Sequence, residues 1–121
     1  MEQALGESLK EIRRLIALLA RRKSARIVPR SPEMPCRWQP TTVTNPETDM
    51  PFDDIGAWHK IADLAEEGCP LEEVVLEQPQ GEKAYVMIVP LNPALPNLYI
   101  KVQMKGQYIF GRSFHYSNRP M

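Results

Sequence analysis

The chain has only two cysteines among its 121 residues, Cys36 and Cys69. They are too few and too isolated for a disulfide framework or a metal-site spacing, which leaves two incidental thiols or a single bridge. No apolar run approaches the roughly 20 residues needed to span a bilayer. The apolar stretch near the start is broken by Arg13, Arg14, Arg21 and Arg22, which excludes an ordinary secretory signal. A cytoplasmic protein without a membrane partner is expected. A glycine-rich phosphate loop, a dinucleotide fingerprint and a nucleophile motif are all missing, so neither a cofactor nor a metal is expected.

Acidic residues are missing from one third of the chain. Residues 83–121 hold five Lys or Arg and no Asp or Glu, whereas residues 38–82 hold eleven acids and one lysine, Lys60. Residues 1–37 hold nine Lys or Arg against four acids. The formal net charge of zero therefore hides a segregation that points to charged partners. Alternatively, the acidic middle folds over the basic ends and neutralises them.

Residues 1–23 read as an amphipathic helix, with Leu5, Leu9, Ile12, Leu15, Ile16 and Leu19 at helical spacing. This stripe packs on the rest of the chain, pairs with a second copy, or binds another protein. Residues 24–51 form a proline-rich arm or linker. Pro29, Pro32, Pro35, Pro40, Pro46 and Pro51 allow no helix to persist. Trp38, Val43 and Asn45-Pro46 suggest that its second half docks, and Lys23 to Arg37 is the stretch expected to lack order.

Residues 52–121 are expected to form a compact α+β unit. Asp53 or Asp54 caps a helix carrying Trp58, Ile61, Ala62 and Ala65 on one face, with Gly68 as its stop. Strand candidates follow at Val74–Leu76, Ala84–Val89, Leu98–Lys105 and Tyr108–Tyr116. The expected architecture is a small antiparallel sheet with a packed helix, preceded by the N-terminal helix and the arm. Gly106-Gln107 fits a two-residue type II′ hairpin. Strict alternation would then pair Lys105 with Tyr108, Gln103 with Phe110, Lys101 with Arg112 and Tyr99 with Phe114 on one face. The other face would receive the aliphatic residues together with Gly111, Ser113 and His115. A bulge near Gly111 or Ser113 would bring His115 to the rim.

Tyr99, Gln103, Lys105, Tyr108 and Phe110 make the first face a candidate RNA surface, since cations hold phosphates and rings stack on unpaired bases. Like charges at Lys101 and Arg112 would repel unless an anion is shared between them. The other option is that a helix covers the rings while the cations snorkel to its edge. His115, and His59 on the second helix, are the side chains whose ordinary pKa suits proton transfer near neutrality. Both also suit a structural role.

The run Leu98-Tyr99-Ile100-Lys101-Val102-Gln103, followed by Ile109-Phe110-Gly111-Arg112-Ser113-Phe114-His115, resembles the terminal strands of RelE-like bacterial toxins. Within these it is nearest the motility quorum-sensing regulator branch, and the resemblance covers about residues 53–116. It implies a metal-independent endoribonuclease toxin of a toxin–antitoxin system, with RNA as substrate and an antitoxin as partner. Lys101 is the position carried over, with Arg112 and Tyr116 as further members of the site. In the implied reaction Lys101 and Arg112 stabilise phosphate charge and His115 or Tyr116 moves a proton. The basic N-terminal helix and the proline arm are not part of that pattern. The other functional reading is a non-catalytic regulator or interaction module that uses the same sheet and the leucine helix, with assembly of copies through that helix.

Overall fold

The computed structural model describes residues 2–117, with side chains from residue 9 onward. The side chain of Leu5, part of the expected apolar stripe, and the last four residues of the chain lie outside that description.

Helix α1 (Glu2–Arg21) is followed by short strands β1 (Arg26–Ile27), β2 (Arg37–Trp38), β3 (Thr44–Asn45) and β4 (Met50–Pro51). Helix α2 (Asp54–Glu66) then leads into β5 (Glu72–Val75), β6 (Lys83–Val89), β7 (Leu98–Lys105) and β8 (Tyr108–Tyr116). The class is α+β. A six-stranded sheet has the order β1-β8-β7-β6-β5, with β2 also pairing with β8. Neighbours β5 to β8 are antiparallel, but β1 and β2 both run parallel to β8, so the sheet is mixed rather than antiparallel throughout.

Sequence logic explains the helices. The Asp53 side chain accepts from the Gly56 amide at 2.6 Å, satisfying one of the free donors of the first turn of α2. Gly68 takes φ +83 just beyond the end of α2, where a left-handed residue costs glycine nothing. On α1, Ile16, Ala17, Leu19 and Ala20 are buried in one core with Ala57, Trp58, Ile61, Leu64 and Ala65 of α2. The N-terminal helix thus packs in cis. Arg21 fastens it through ion pairs to Asp63 and Glu66, both at 2.6 Å.

The helices cover the sheet face carrying Met87, Val89, Leu98, Ile100, Val102, Ile109 and Phe114, all buried. Trp38 joins this core. Its ring lies 4.8 Å from that of Trp58 and 5.5 Å from that of Phe114, and its Nε1 donates to Asp54 at 3.0 Å.

The proline-rich stretch, expected to lack order over Lys23 to Arg37, is built into the sheet instead. β1 pairs with Ile109 and Phe110, and β2 with Ser113 and Phe114. The two are therefore pieces of one edge strand, and the chain between them loops out. Prolines prevented a long strand but not two-residue pairings at an edge, where a missing amide donor is tolerated.

Candidate anion-binding face of the sheet

The β7–β8 hairpin has the expected two-residue loop. Lys105 pairs with Tyr108, Gly106 has φ +63, and Gln107 is not left-handed, as a type II′ turn requires. The next expected pair, Gln103 with Phe110, is also present.

Beyond it the register changes. Val102 pairs with Gly111 but Lys101 pairs with Ser113, so Arg112 is the extra residue of a β-bulge. The expected pairs Lys101–Arg112 and Tyr99–Phe114 are therefore replaced by Lys101–Ser113 and Tyr99–His115. The one-residue shift moves every later side chain of β8 to the other face. Phe114 enters the core, and His115 joins the face of Lys101. Beside the bulge, Gly111 lies against the Trp38 ring. A Cβ there would lie 2.6 Å from Trp38 Cζ3.

The registers now place specific residues in rows. Arg37 pairs with Ser113, Ser113 with Lys101, Lys101 with Val86, and Val86 with Glu72. Arg37, Ser113 and Lys101 are thus neighbours on the face turned away from the helices. In the adjacent row His115 stands beside Tyr99, which pairs with Ile88. The Tyr99 and His115 rings are stacked with centroids 5.3 Å apart. Ile88 is 40% exposed.

The other half of this face is closed by loops. Arg112 is only 2% exposed. Its Nε and Nη2 donate to the Pro35 carbonyl at 3.2 and 3.0 Å, Nη2 donates to the Gln78 carbonyl at 2.8 Å, and Nη1 donates to Gln103 Oε1 at 2.9 Å. Gln103 in turn donates to Glu82 at 2.8 Å, and Glu82 pairs with Lys105 at 2.7 Å. Two residues from the expected RNA surface, Gln103 and Lys105, are therefore engaged with an acid of the middle segment. Tyr108 is exposed at the hairpin tip, and Phe110 is half-buried beside Ile27. Tyr116 pairs with Leu98 on the helix-covered face and its hydroxyl accepts from the Thr44 amide at 3.1 Å, apart from Lys101. His59 is exposed on α2.

The charge question is thus answered unevenly. Acids neutralise Arg21, Lys83 and Lys105. Among the described residues, Lys101 and Arg37 have no ion pair and no side-chain hydrogen bond. Burial pushes the Lys101 ammonium below the usual lysine range, and the Arg112 charge adds to it. His115 is lowered chiefly by burial. A hydrogen bond from Nδ1 to the Tyr116 carbonyl, 2.8 Å away, opposes this, and the charges of Arg37 and Lys101 add to it. Two cations without an ion pair, beside a hydroxyl and an imidazole whose charged form is disfavoured, make a place suited to an anion.

Arg37 and Ser113 were not legible as site residues in the sequence. Arg37 lies in a stretch with no periodicity, and Ser113 reaches this face only through the bulge. Comparison with protein-family models, curated proteins and solved structures gives no match to this chain. Among the described residues, no helix is long and apolar enough to cross a membrane.

Proposed function

We propose that this chain binds single-stranded RNA on the open half of its sheet and cleaves it as a metal-independent endoribonuclease toxin of a bacterial toxin–antitoxin system. The observation that carries the proposal is the row Arg37–Ser113–Lys101, two unpaired cations flanking a hydroxyl next to a stacked Tyr99–His115 pair. The cations hold a backbone phosphate, and the half-buried ring pair receives an unstacked base.

In the reaction, the 2′-hydroxyl of the nucleotide gives its proton to His115, and its oxygen attacks the adjacent phosphorus. The P–O5′ bond breaks, and the leaving oxygen takes up a proton from Lys101 or water. The products are a 2′,3′-cyclic phosphate and a 5′-hydroxyl end. A lowered histidine pKa favours the neutral base at pH 7. Lys101 and Arg37 stabilise the charge that builds on the phosphate oxygens. Arg112, first expected in that role, has its donors turned to carbonyls and Gln103.

The test uses the purified full chain with a fluorescent single-stranded oligoribonucleotide. Salt-sensitive binding, cleavage to cyclic-phosphate ends, and loss of cleavage in Lys101→Ala are expected, with growth arrest when the parent is expressed in bacteria. Intact RNA together with unchanged affinity in Lys101→Ala overturns the proposal.

A second reading is a non-catalytic interaction module, with an antitoxin or other protein as partner. A cavity of about 630 Å³ between α1 and the end of α2 favours it, lined by Ala17, Leu18 and Ala65 and edged by Lys10 and Arg14. Leu18 is 55% exposed there. Leu18→Glu abolishes partner binding or self-association on this reading and leaves RNA binding intact.

A further inference from the structure

Arg112 is the most deeply buried cation of the described residues, and no carboxylate touches it. Burying an unpaired guanidinium is expensive unless its donors are satisfied. Here they are satisfied by parts of the chain distant in sequence: the loop between β1 and β2 at Pro35, the β5–β6 loop at Gln78, and Gln103 of β7. The Pro35 carbonyl receives two of these bonds and lies two residues before Arg37. The same loop is closed on itself by Cys36, whose Sγ donates to the Pro29 carbonyl at 2.6 Å. On its other side Arg37 is followed by Trp38, whose ring packs on Phe114, and by the Gln39 amide, which donates to the Phe114 carbonyl at 2.9 Å. Arg112 thus fixes the loop end that precedes Arg37.

From this we propose that Arg112 is a positioning residue for the anion site: it holds the β1–β2 loop against the bulge so that Arg37 stands in the row of Lys101 and Ser113. This inference rests on the RNA-binding reading above. The guanidinium fork is what the task needs. Its Nε and Nη2 grip one carbonyl together while Nη1 and Nη2 reach two others, and a lysine ammonium, which has no fixed fork, cannot hold that geometry. Arg112 therefore acts on RNA through Arg37, not by touching phosphate.

The experiment measures affinity of the full chain for a fluorescent single-stranded oligoribonucleotide as a function of salt, in Arg37→Ala, Arg112→Lys, the double variant, and Lys101→Ala. Arg37→Ala is expected to weaken binding about tenfold, the scale of one charge-assisted contact, and to reduce the salt slope by about 0.7. Arg112→Lys keeps the charge and is expected to give the same loss and the same slope change. The double variant is expected to be no weaker than either single one. A merely structural lysine replacement would not change the salt slope. Pro35→Gly touches no charge and loosens the same loop, so it serves if Arg112→Lys fails to fold. It is expected to reproduce the Arg37→Ala loss and to add nothing to it.

The positioning role is overturned if the Arg37 and Arg112 losses multiply in the double variant. It is overturned equally if Arg112→Lys, or Pro35→Gly in its place, binds like the parent while Arg37→Ala does not. If Arg37→Ala and Lys101→Ala both bind like the parent, the RNA reading fails and the positioning role fails with it.

Discussion

Replacing Gly111 with alanine tests the close packing of Trp38 on the backbone beside the bulge. A Cβ at this position would lie 2.6, 2.7 and 3.1 Å from three carbons of the Trp38 ring. Carbon atoms prefer about 3.5–4.0 Å, so the ring must retreat by roughly 1 Å. It has little room, since Trp58 and Phe114 lie at 4.8 and 5.5 Å and Asp54 holds Nε1 at 3.0 Å. Overpacking of this kind costs about 1–3 kcal/mol. Stretching or losing the bond to the Asp54 carboxylate adds about 1.5 kcal/mol or more. A loss of about 3 kcal/mol follows, which lowers Tm by roughly 10–15 °C for a chain of this size. Urea unfolding followed by tryptophan fluorescence suits the measurement, because the protein's two tryptophans, Trp38 and Trp58, both lie in the affected cluster. Trp38→Leu in the same chain frees the space, so the double variant should cost clearly less than the sum of the single ones. Additive costs, or a Gly111→Ala loss below about 0.5 kcal/mol, would refute the view that contact with Trp38 requires glycine here.

Other outcomes follow from single residues. Asp53→Ala removes the cap of α2 and should cost about 1 kcal/mol in urea unfolding, with Asp53→Asn recovering most of it; equal losses would contradict the capping role. Gly106→Ala should cost about 1–3 kcal/mol through backbone strain alone, because nothing lies within 4 Å of the added methyl, and a neutral result would refute the turn assignment. His115 should titrate below its ordinary value in an NMR experiment, and Lys101→Ala should move it upward by removing a neighbouring charge. Its folded pKa is depressed relative to the unfolded chain, so the unfolded state binds the proton more readily. The contribution of His115 to stability is present above the ordinary histidine range and declines as pH falls through that range toward the folded value. A folded pKa at or above the ordinary value would rule this out.

Helix α2 with a cap at Asp53 or Asp54, the last three strands and the Gly106-Gln107 turn were all legible in the chain, because each depends on local chemistry. A cap, a left-handed glycine and a period of two are visible within a few residues. The apolar stripe of α1 was equally plain, but its destination was not, since the same stripe suits a neighbouring helix or a second copy. Ile16 and Leu19 pack on α2 and Arg21 adds its ion pairs, while Leu15 stays 38% exposed.

The candidate site was only half legible. Lys101, Tyr99 and the basic, acid-free character of the last third came from sequence alone, since alternation along β7 assigns its faces without outside help. The partners of Lys101 did not. Arg112 is an extra residue next to the close Trp38–Gly111 approach, and that shift puts Ser113 (6% exposed) and His115 on the face of Lys101 while Phe114 turns inward. Arg37 arrives from a proline-rich loop that pairs with β8 and whose Pro35 carbonyl accepts from Arg112. Sequence by itself determined both helices, the last three strands and the Gly106-Gln107 turn, but not the short strands β1 to β4. Tertiary structure decided which side chains share a surface, because register and loop docking depend on contacts between residues far apart in the chain.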